Sequence, residues 1–373
     1  MNTPKLRFKE FNDEYKSYKF YDVAKLYRGS SPRPIVNFIT KSEDSVNWIK
    51  IGDVSPNETY INSTSEKITK EGAKKSRRVY KGEIILSNSM SFGRPYILNL
   101  DGCIHDGWFV VRDYEKLLNK KYLYHFMSSP LIQKQYKTLS AGGVVSNISS
   151  ELVYSVKLNI PSKEEQHKVA KFLSLLDKKI ELQTKKIEDL KLFKLSKYSS
   201  VFSKTNNKIK LSDICIIEKG KQINSDLLIE KGNYYMLNGG ILPSGYLNEY
   251  NTNENTVTIS EGGNSCGYVN FNKTKFWCGG HCYKIISPSV NTSYLYHLLK
   301  YNEKIIMDLR VGSGLPNIQK KDLEALKLSI HKNDEQLKIG ILFDTFDKKI
   351  SLETDKLNKF KELKKALMQV IFV

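Results

Sequence analysis

Two stretches of the chain place apolar residues in alternating steps of three and four. The first runs through Val169, Leu173, Leu176, Ile180, Ile187 and Leu190, the second through Ile339, Phe343, Phe346, Ile350, Leu357 and Phe360. This is the a/d spacing of a coiled coil. Gln183 and Glu353 interrupt the two seams at matching places, as a register-setting polar layer does. Pro161-Ser162-Lys163-Glu164-Glu165 supplies a proline and a capping box in front of the first stretch. A helix of about 40 residues rises about 60 Å, so each stretch predicts a long rod.

The rest of the chain has shorter periods. Val46 to Ile51, Glu83 to Ser87 and Thr256 to Ser260 are β-rich and bounded by Gly, Asn or Ser. Helical spacing returns from Glu115 to Tyr136 and from Thr292 to Leu309, each followed by a Gly-rich connector, Ala141-Gly142-Gly143 and Gly312-Ser313-Gly314. The fold class that follows is α+β: two mixed α/β domains alternating with two long helices. The domains are 1–160 and 204–329, the helices 161–203 and 330–373.

The chain is an internal duplication. Asn147-Ile148 set over Asn317-Ile318 gives a register that holds without a gap to Phe202 over Phe372, and about a third of the pairs are identical. Asp177-Lys178-Lys179-Ile180 falls on Asp347-Lys348-Lys349-Ile350. Upstream the match loosens: Tyr122-Leu123-Tyr124-His125 recurs as Tyr294-Leu295-Tyr296-His297, Leu86-Ser87 with Gly93 as Ile259-Ser260 with Gly267, and Asp22-Val23 with Gly29 as Asp213-Ile214 with Gly220. Similar tails behind divergent heads predict that the tails pair with each other, antiparallel and with pseudo-two-fold symmetry. Each chain closes its own pair, so no homo-oligomer is required.

Composition narrows the function. The 59 Lys+Arg exceed the 40 Asp+Glu to give a net charge of +19, spread over both heads and both tails. A basic, duplicated chain suits a repetitive polyanion such as duplex DNA, although a lysine-rich composition alone gives the same balance. There is no apolar run of membrane-spanning length and no secretory signal, so a cytoplasmic location without membrane is expected. Five cysteines make no disulfide framework, and Cys266, Cys278, His281 and Cys282 match no zinc spacing. Walker A, G-x-G-x-x-G, G-x-S-x-G and H-E-x-x-H motifs are missing, as is an Asn/Asp-Pro-Pro-aromatic methyltransferase loop. Neither catalytic residues nor a metal or other cofactor is expected.

Polar loops carry the candidate chemistry. The first head offers Arg28, Ser30 and Arg33 on one turn and Asn88, Ser89 and Arg94 after a strand. The second offers Lys221, Asn238, Ser244, Tyr246, Glu261 and Asn264. Arginine can read guanine, asparagine adenine, and glutamate can accept from cytosine N4. Each loop also reads as an ordinary turn.

The layout resembles the specificity subunit of type I restriction–modification systems over essentially the whole chain. The resemblance rests on Pro4-Lys5-Leu6-Arg7-Phe8, on Ile160-Pro161 leading to Glu165-Gln166-x-Lys168 and Leu176-Asp177-x-x-Ile180, and on the C-terminal copy, Glu335-Gln336-x-Lys338 and Phe346-Asp347-x-x-Ile350. In the second head it adds Asn238-Gly239-Gly240-Ile241-x-Pro243-Ser244-Gly245-Tyr246, Thr258-Ile259-Ser260-x-Gly262-Gly263 and Gly279-Gly280-His281. His331 departs from the pattern where Pro161 would repeat. The resemblance implies a non-catalytic, DNA-reading subunit in which each head binds one half of a bipartite double-stranded target. It also implies that the helices set the spacing and dock two methyltransferase subunits, with restriction–translocase subunits joining them. Two other readings use the same residues: a coiled-coil scaffold whose heads bind protein, and a nuclease using Asp177-Lys178-Lys179.

Overall fold

A computed structural model describes residues 3–54, 58–88, 93–140, 148–205, 207–312 and 314–373, with only the backbone at 139 and 140. The chain forms two compact units, one of Met1–Gln183 with Lys356–Val373 and one of Thr184–Asp355. Both long helices are continuous, Lys163–Phe202 and Asn333–Ile371. Each unit therefore holds one head, the first half of the helix that follows it and the second half of the other helix.

The heads share a strand order that their sequences barely show. The first head's main sheet runs Lys25–Arg28, Trp108–Arg112, Ile84–Ser87, Pro95–Leu98, Tyr60–Ile61. The second head's runs Ile216–Lys219, Cys282–Ile286, Thr256–Ser260, Val269–Asn272, the same order without the last strand. A second sheet in each head contains a parallel pair, Val46–Ile49 with Gly102–Ile104 and Tyr234–Leu237 with Trp277–Cys278. This second sheet has five strands in the first head, as many as the main sheet, and three in the second head. An antiparallel pair closes each head: Lys16 opposite Ile160, and Lys208 opposite Ser329.

Residues alternate between two cores along the first main sheet. Ile84, Leu86, Phe109 and Val111 face the helices, while Ile85, Trp108 and Val110 pack toward Ile49 and Ile104 of the second sheet. Burial on both faces explains why these strands read as continuous apolar runs. The helix expected from Glu115 to Tyr136 is two, Lys120–Met127 and Pro130–Ser140, because Pro130 lacks the N–H that a continuing helix needs. Its counterpart is also two, Thr292–Tyr301 and Glu303–Asp308.

Within each unit the long-helix segments run antiparallel. In the first, Lys364 pairs with Asp177, and the Lys179 ammonium lies 4.7 Å from the centre of the Phe360 ring. In the second, Lys186 pairs with Glu353 and Lys194 with Asp347, while Phe193 meets Phe346 edge-on at 5.6 Å. Numbers fall on one helix as they rise on the other. The predicted stripe divides in use along its length. Val169 and Leu173 join the first head's core with Met368, Ile371 and Phe372, and Ile339 and Phe343 join the second with Tyr198 and Phe202. Gln183, Ile187 and Leu357 are buried between these ends, and Leu176, Ile180, Leu190, Phe346, Ile350 and Phe360 are half-buried.

The capping box is split between the two copies. Ser162 Oγ accepts from the Glu165 N–H at 3.3 Å, but the Glu165 carboxylate, 1% exposed, is held by Arg7 and the Tyr15 hydroxyl. In the second copy Glu335 makes the reverse half, accepting from the Lys332 N–H at 3.3 Å.

Candidate functional site

In each head the loop joining the parallel-paired strand to the main sheet becomes a hub. In the first head this is His105-Asp106-Gly107, between Gly102–Ile104 and Trp108–Arg112. In the second it is Gly279-Gly280-His281, between Trp277–Cys278 and Cys282–Ile286.

The backbone that builds the hubs is equivalent. Gly29 donates to Trp108 O at 2.8 Å, and Gly220 donates to Cys282 O at 2.8 Å. A Cβ on Gly29 would stand 2.1 Å from His105 O, and one on Gly220 2.2 Å from Gly279 O, so neither position has room for a side chain. Asn88 N–H donates to Gly107 O and Glu261 N–H to His281 O, both at 2.9 Å. Their carbonyls accept from Ile148 and Ile318 at 2.7 and 2.9 Å. Gly93 and Gly267 donate to Ser87 O and Ser260 O at 3.0 and 2.8 Å, with φ of 68° and 90°.

Asp106 is the centre of the first hub. Its carboxylate accepts from Ser31 Oγ at 2.8 Å, lies 2.8 Å from His105 Nε2 and is 3.8 Å from the Arg33 guanidinium. Its carbonyl accepts from Asn88 Nδ2 at 2.9 Å and from Arg28 Nε at 3.3 Å. Burial raises the Asp106 carboxyl, but the Ser31 hydroxyl, His105 and Arg33 outweigh it and hold it below the usual range. Arg33 is 84% exposed and Arg28 is exposed, whereas Asn88 is buried and supports the loop. Ser30 is half-buried, its Oγ 3.3 Å from Lys75 O, and Arg94 is half-buried beside Ser87. Ser89 lies outside the described residues.

In the second hub the carboxylate comes from Glu261, the backbone counterpart of Asn88, while Gly280 occupies the loop position of Asp106. The Glu261 carboxylate is paired with Lys219, lies 3.4 Å from His281 Nδ1 and accepts from the Tyr283 hydroxyl at 3.4 Å. Asn238 Oδ1 accepts from the His281 N–H at 3.1 Å, and Lys221 N–H donates to Cys278 O at 2.9 Å. Lys221, Ser244, Tyr246 and Asn264 are exposed. Tyr246 sits on the second head's three-stranded sheet, where it opposes Tyr235, and Ser244 ends the turn before that strand.

Sequence reasoning missed His105 and Asp106. The signal was available in the loose match of Gly29 to Gly220, because both glycines exist to admit this loop. All five cysteines are buried and unpaired by disulfides, and among the described residues no cluster of His, Cys, Asp or Glu could hold a metal ion. No helix among them is long and apolar enough to cross a membrane.

Comparison with known proteins agrees with this architecture. The profile of the type I restriction modification DNA specificity domain matches residues 12–192 and again 203–362. A Mycoplasma pneumoniae protein named as a type I specificity subunit, S.MpnORF638P, is 33% identical over 42% of this chain, and the match spans only 42% of that relative's length. The specificity subunit of the type I restriction enzyme MjaIX from Methanocaldococcus jannaschii is 22% identical over 94% of this chain and 90% of its own length. The crystal structure of a type I restriction–modification S subunit from M. genitalium superposes with a TM-score of 0.66. It is 19% identical and covers 100% of this chain and 99% of its own.

Proposed function

The chain belongs to the type I restriction modification DNA specificity family, and from that premise we propose that it reads a bipartite duplex target, one half-site per head. One observation carries the reading. Two heads with little sequence in common gather charged and amide side chains round the same loop, held by the same backbone bonds. Readers of two different half-sites need a constant scaffold and variable side chains, and that is the pattern of these hubs. In this reading Arg28, Arg33 and Arg94 act in the first head and Asn238, Ser244, Tyr246 and Asn264 in the second. Asn88 and Glu261 hold the loops, Ser30 steadies its turn, and Lys221 meets phosphate. Basic charge on both heads supplies the non-specific attraction.

The chain holds no chemistry of its own in this proposal. Two methyltransferase subunits dock on the paired helices, and restriction–translocase subunits complete the assembly. Exposed apolar residues recur at the repeat offset on both helices, Phe172 with Leu342, Leu182 with Leu352 and Phe193 with Leu363, and equivalent patches suit two copies of one partner. Leu182→Ser with Leu352→Ser is expected to reduce methyltransferase co-purification and leave DNA contact by the isolated chain intact.

The deciding experiment exchanges the second head for that of a relative while keeping both helices, followed by sequencing of the host's methylated motifs. One half of the motif should change and the other persist. A change in both halves, or no motif dependent on this gene, overturns the proposal.

A further inference from the structure

The three most exposed large apolar side chains among the described residues stand beside the candidate reading loops. Leu315 is 85% exposed and Leu242 76%, both in the second head, and Val36 is 73% exposed, three residues after Arg33 in the first. Isolated apolar residues on a surface are ordinary. Three extremes that all flank the same class of loop are not explained by that.

The second head gives the geometry. Ile241 and Leu242 cap the turn between Tyr234–Leu237 and Gly245–Leu247, and Ile241 is exposed as well. The base of that turn is clamped: Ser244 N–H donates to Met236 O at 2.9 Å, Ser260 Oγ to Gly239 O at 2.5 Å, and Asn238 Oδ1 accepts from His281 N–H at 3.1 Å. On the other side Leu315 precedes Pro316, whose carbonyl accepts from Gly263 N–H at 3.0 Å. Val311 and Asn317 exchange backbone hydrogen bonds at 2.9 and 3.0 Å beneath it. A Cβ on Gly239 would lie 3.4 Å from Gly262 O, and one on Gly262 3.6 Å from Pro316 O. The two leucine-bearing loops therefore stand on either side of Glu261-Gly262-Gly263-Asn264.

We propose that Leu242, seconded by Leu315, is an apolar wedge that enters the base stack of the half-site read by the second head. The proposal rests on the DNA-reading function above. Exposed Lys221 at the same hub, in a chain of net charge +19, matches a polyanion, which favours a nucleic acid over an apolar protein surface as the occupant. An aliphatic side chain contributes nothing to phosphate contact. Held out on a clamped turn, it gains only where apolar surface receives it, and the gap opened between two base pairs is such a surface. Clamping the base lowers the ordering cost on binding. Asn238 and Ser244, on the same turn, then face base edges exposed by the opened step.

The test uses the full chain in complex with its methyltransferase subunits. The probe is a duplex selected by that complex from random-sequence DNA, with 2-aminopurine placed at successive positions of the half-site. Away from the adenine that the methyltransferase itself extrudes, the unaltered complex should brighten 2-aminopurine at one step. Leu242→Ala should abolish that signal and weaken specific binding roughly tenfold, whereas Leu242→Met should retain most of both. The isolated mutation should leave the other half-site's recognition unchanged, which reports that the chain is folded. Specific binding with no brightening outside that adenine overturns the wedge and leaves the reading function standing. So does an effect of Leu242→Ala reproduced by replacing one thymine with uracil, because that marks a methyl contact without unstacking. A complex that selects no sequence at all overturns both proposals.

Discussion

At the scale of single residues, the two hubs show how a glycine and a carboxylate divide the work. Gly29 exists for a neighbour's sake: a methyl group there would overlap His105 O. Gly29→Ala should shift the loop carrying Asp106 and cost about 1–3 kcal/mol by overpacking, read as a lowered Tm together with loss of one half-site. Asp106 draws Arg28, Ser31, Arg33, Asn88 and His105 together without itself suiting a polyanion. Asp106→Asn should therefore keep the loop but release Arg33, relaxing discrimination in the first half-site while binding to unrelated DNA stays level or rises. Lys221→Ala should instead weaken all sequences alike and reduce the salt slope of binding by about one, checked by titration at several ionic strengths.

At the scale of elements, a buried polar node joins each head to both long helices. His125 packs against Ser174 at 3.2 Å and stands 3.7 Å from Asp177, which pairs with Lys364 on the opposing helix. In the second unit His297 accepts or donates at 2.7 Å to Tyr198 and 3.1 Å to Asp344, next to the Lys194–Asp347 pair. The nearby Asp177 would favour an imidazolium, yet burial, with Lys364 and Lys121, dominates and pushes His125 down to about 3. His125 is therefore neutral in the folded unit. The unfolded chain binds its proton near pH 6.5, so the stability His125 lends is complete above that value and declines as the pH falls toward about 3. The slope is about 1.4 kcal/mol per pH unit for one such group. Burial of Asp177 acts in the opposite sense, raising its carboxyl and offsetting part of the loss at the acid end. His125→Gln should flatten the decline of Tm between pH 6.5 and 5, even if it lowers Tm at neutral pH. A denaturation series across that range checks the slope.

At the scale of the whole molecule, the division into units cuts across the division into sequence segments. The last residues of the chain complete the first head: Met368, Ile371 and Phe372 are buried in the same core as Phe20, Tyr122 and Val153. Ending the chain at Asp355 should thus destabilise the N-terminal head rather than the C-terminal one next to it. Losing three such side chains removes about 1.5–3 kcal/mol each, and the loss should appear as faster hydrogen exchange in strands Ile84–Ser87 and Trp108–Arg112. Exchange in Thr256–Ser260 should be unchanged if each core stands by itself.

Local pattern determined much of this protein. The three-and-four spacing marked both long helices and Gly-bounded β-rich runs marked mixed heads, because each depends on neighbours within a few turns of chain, and the gap-free offset marked the duplication because the two copies kept their local patterns. The family was legible because its signature is a set of local motifs, in the helices and their entry points and in the Gly-rich turns of the second head. Tertiary structure decided the rest. Asn88 and Glu261 read as polar loop residues suited to base contact, and folding places their backbones in the turn where three segments far apart in sequence exchange hydrogen bonds. Asp106 carried no pattern of its own and became a hub because Gly29 lets its loop approach. The stripe from Val169 to Leu190 serves a head at one end and a helix partner along the rest, since an amphipathic face specifies that it is covered and leaves what covers it to the fold.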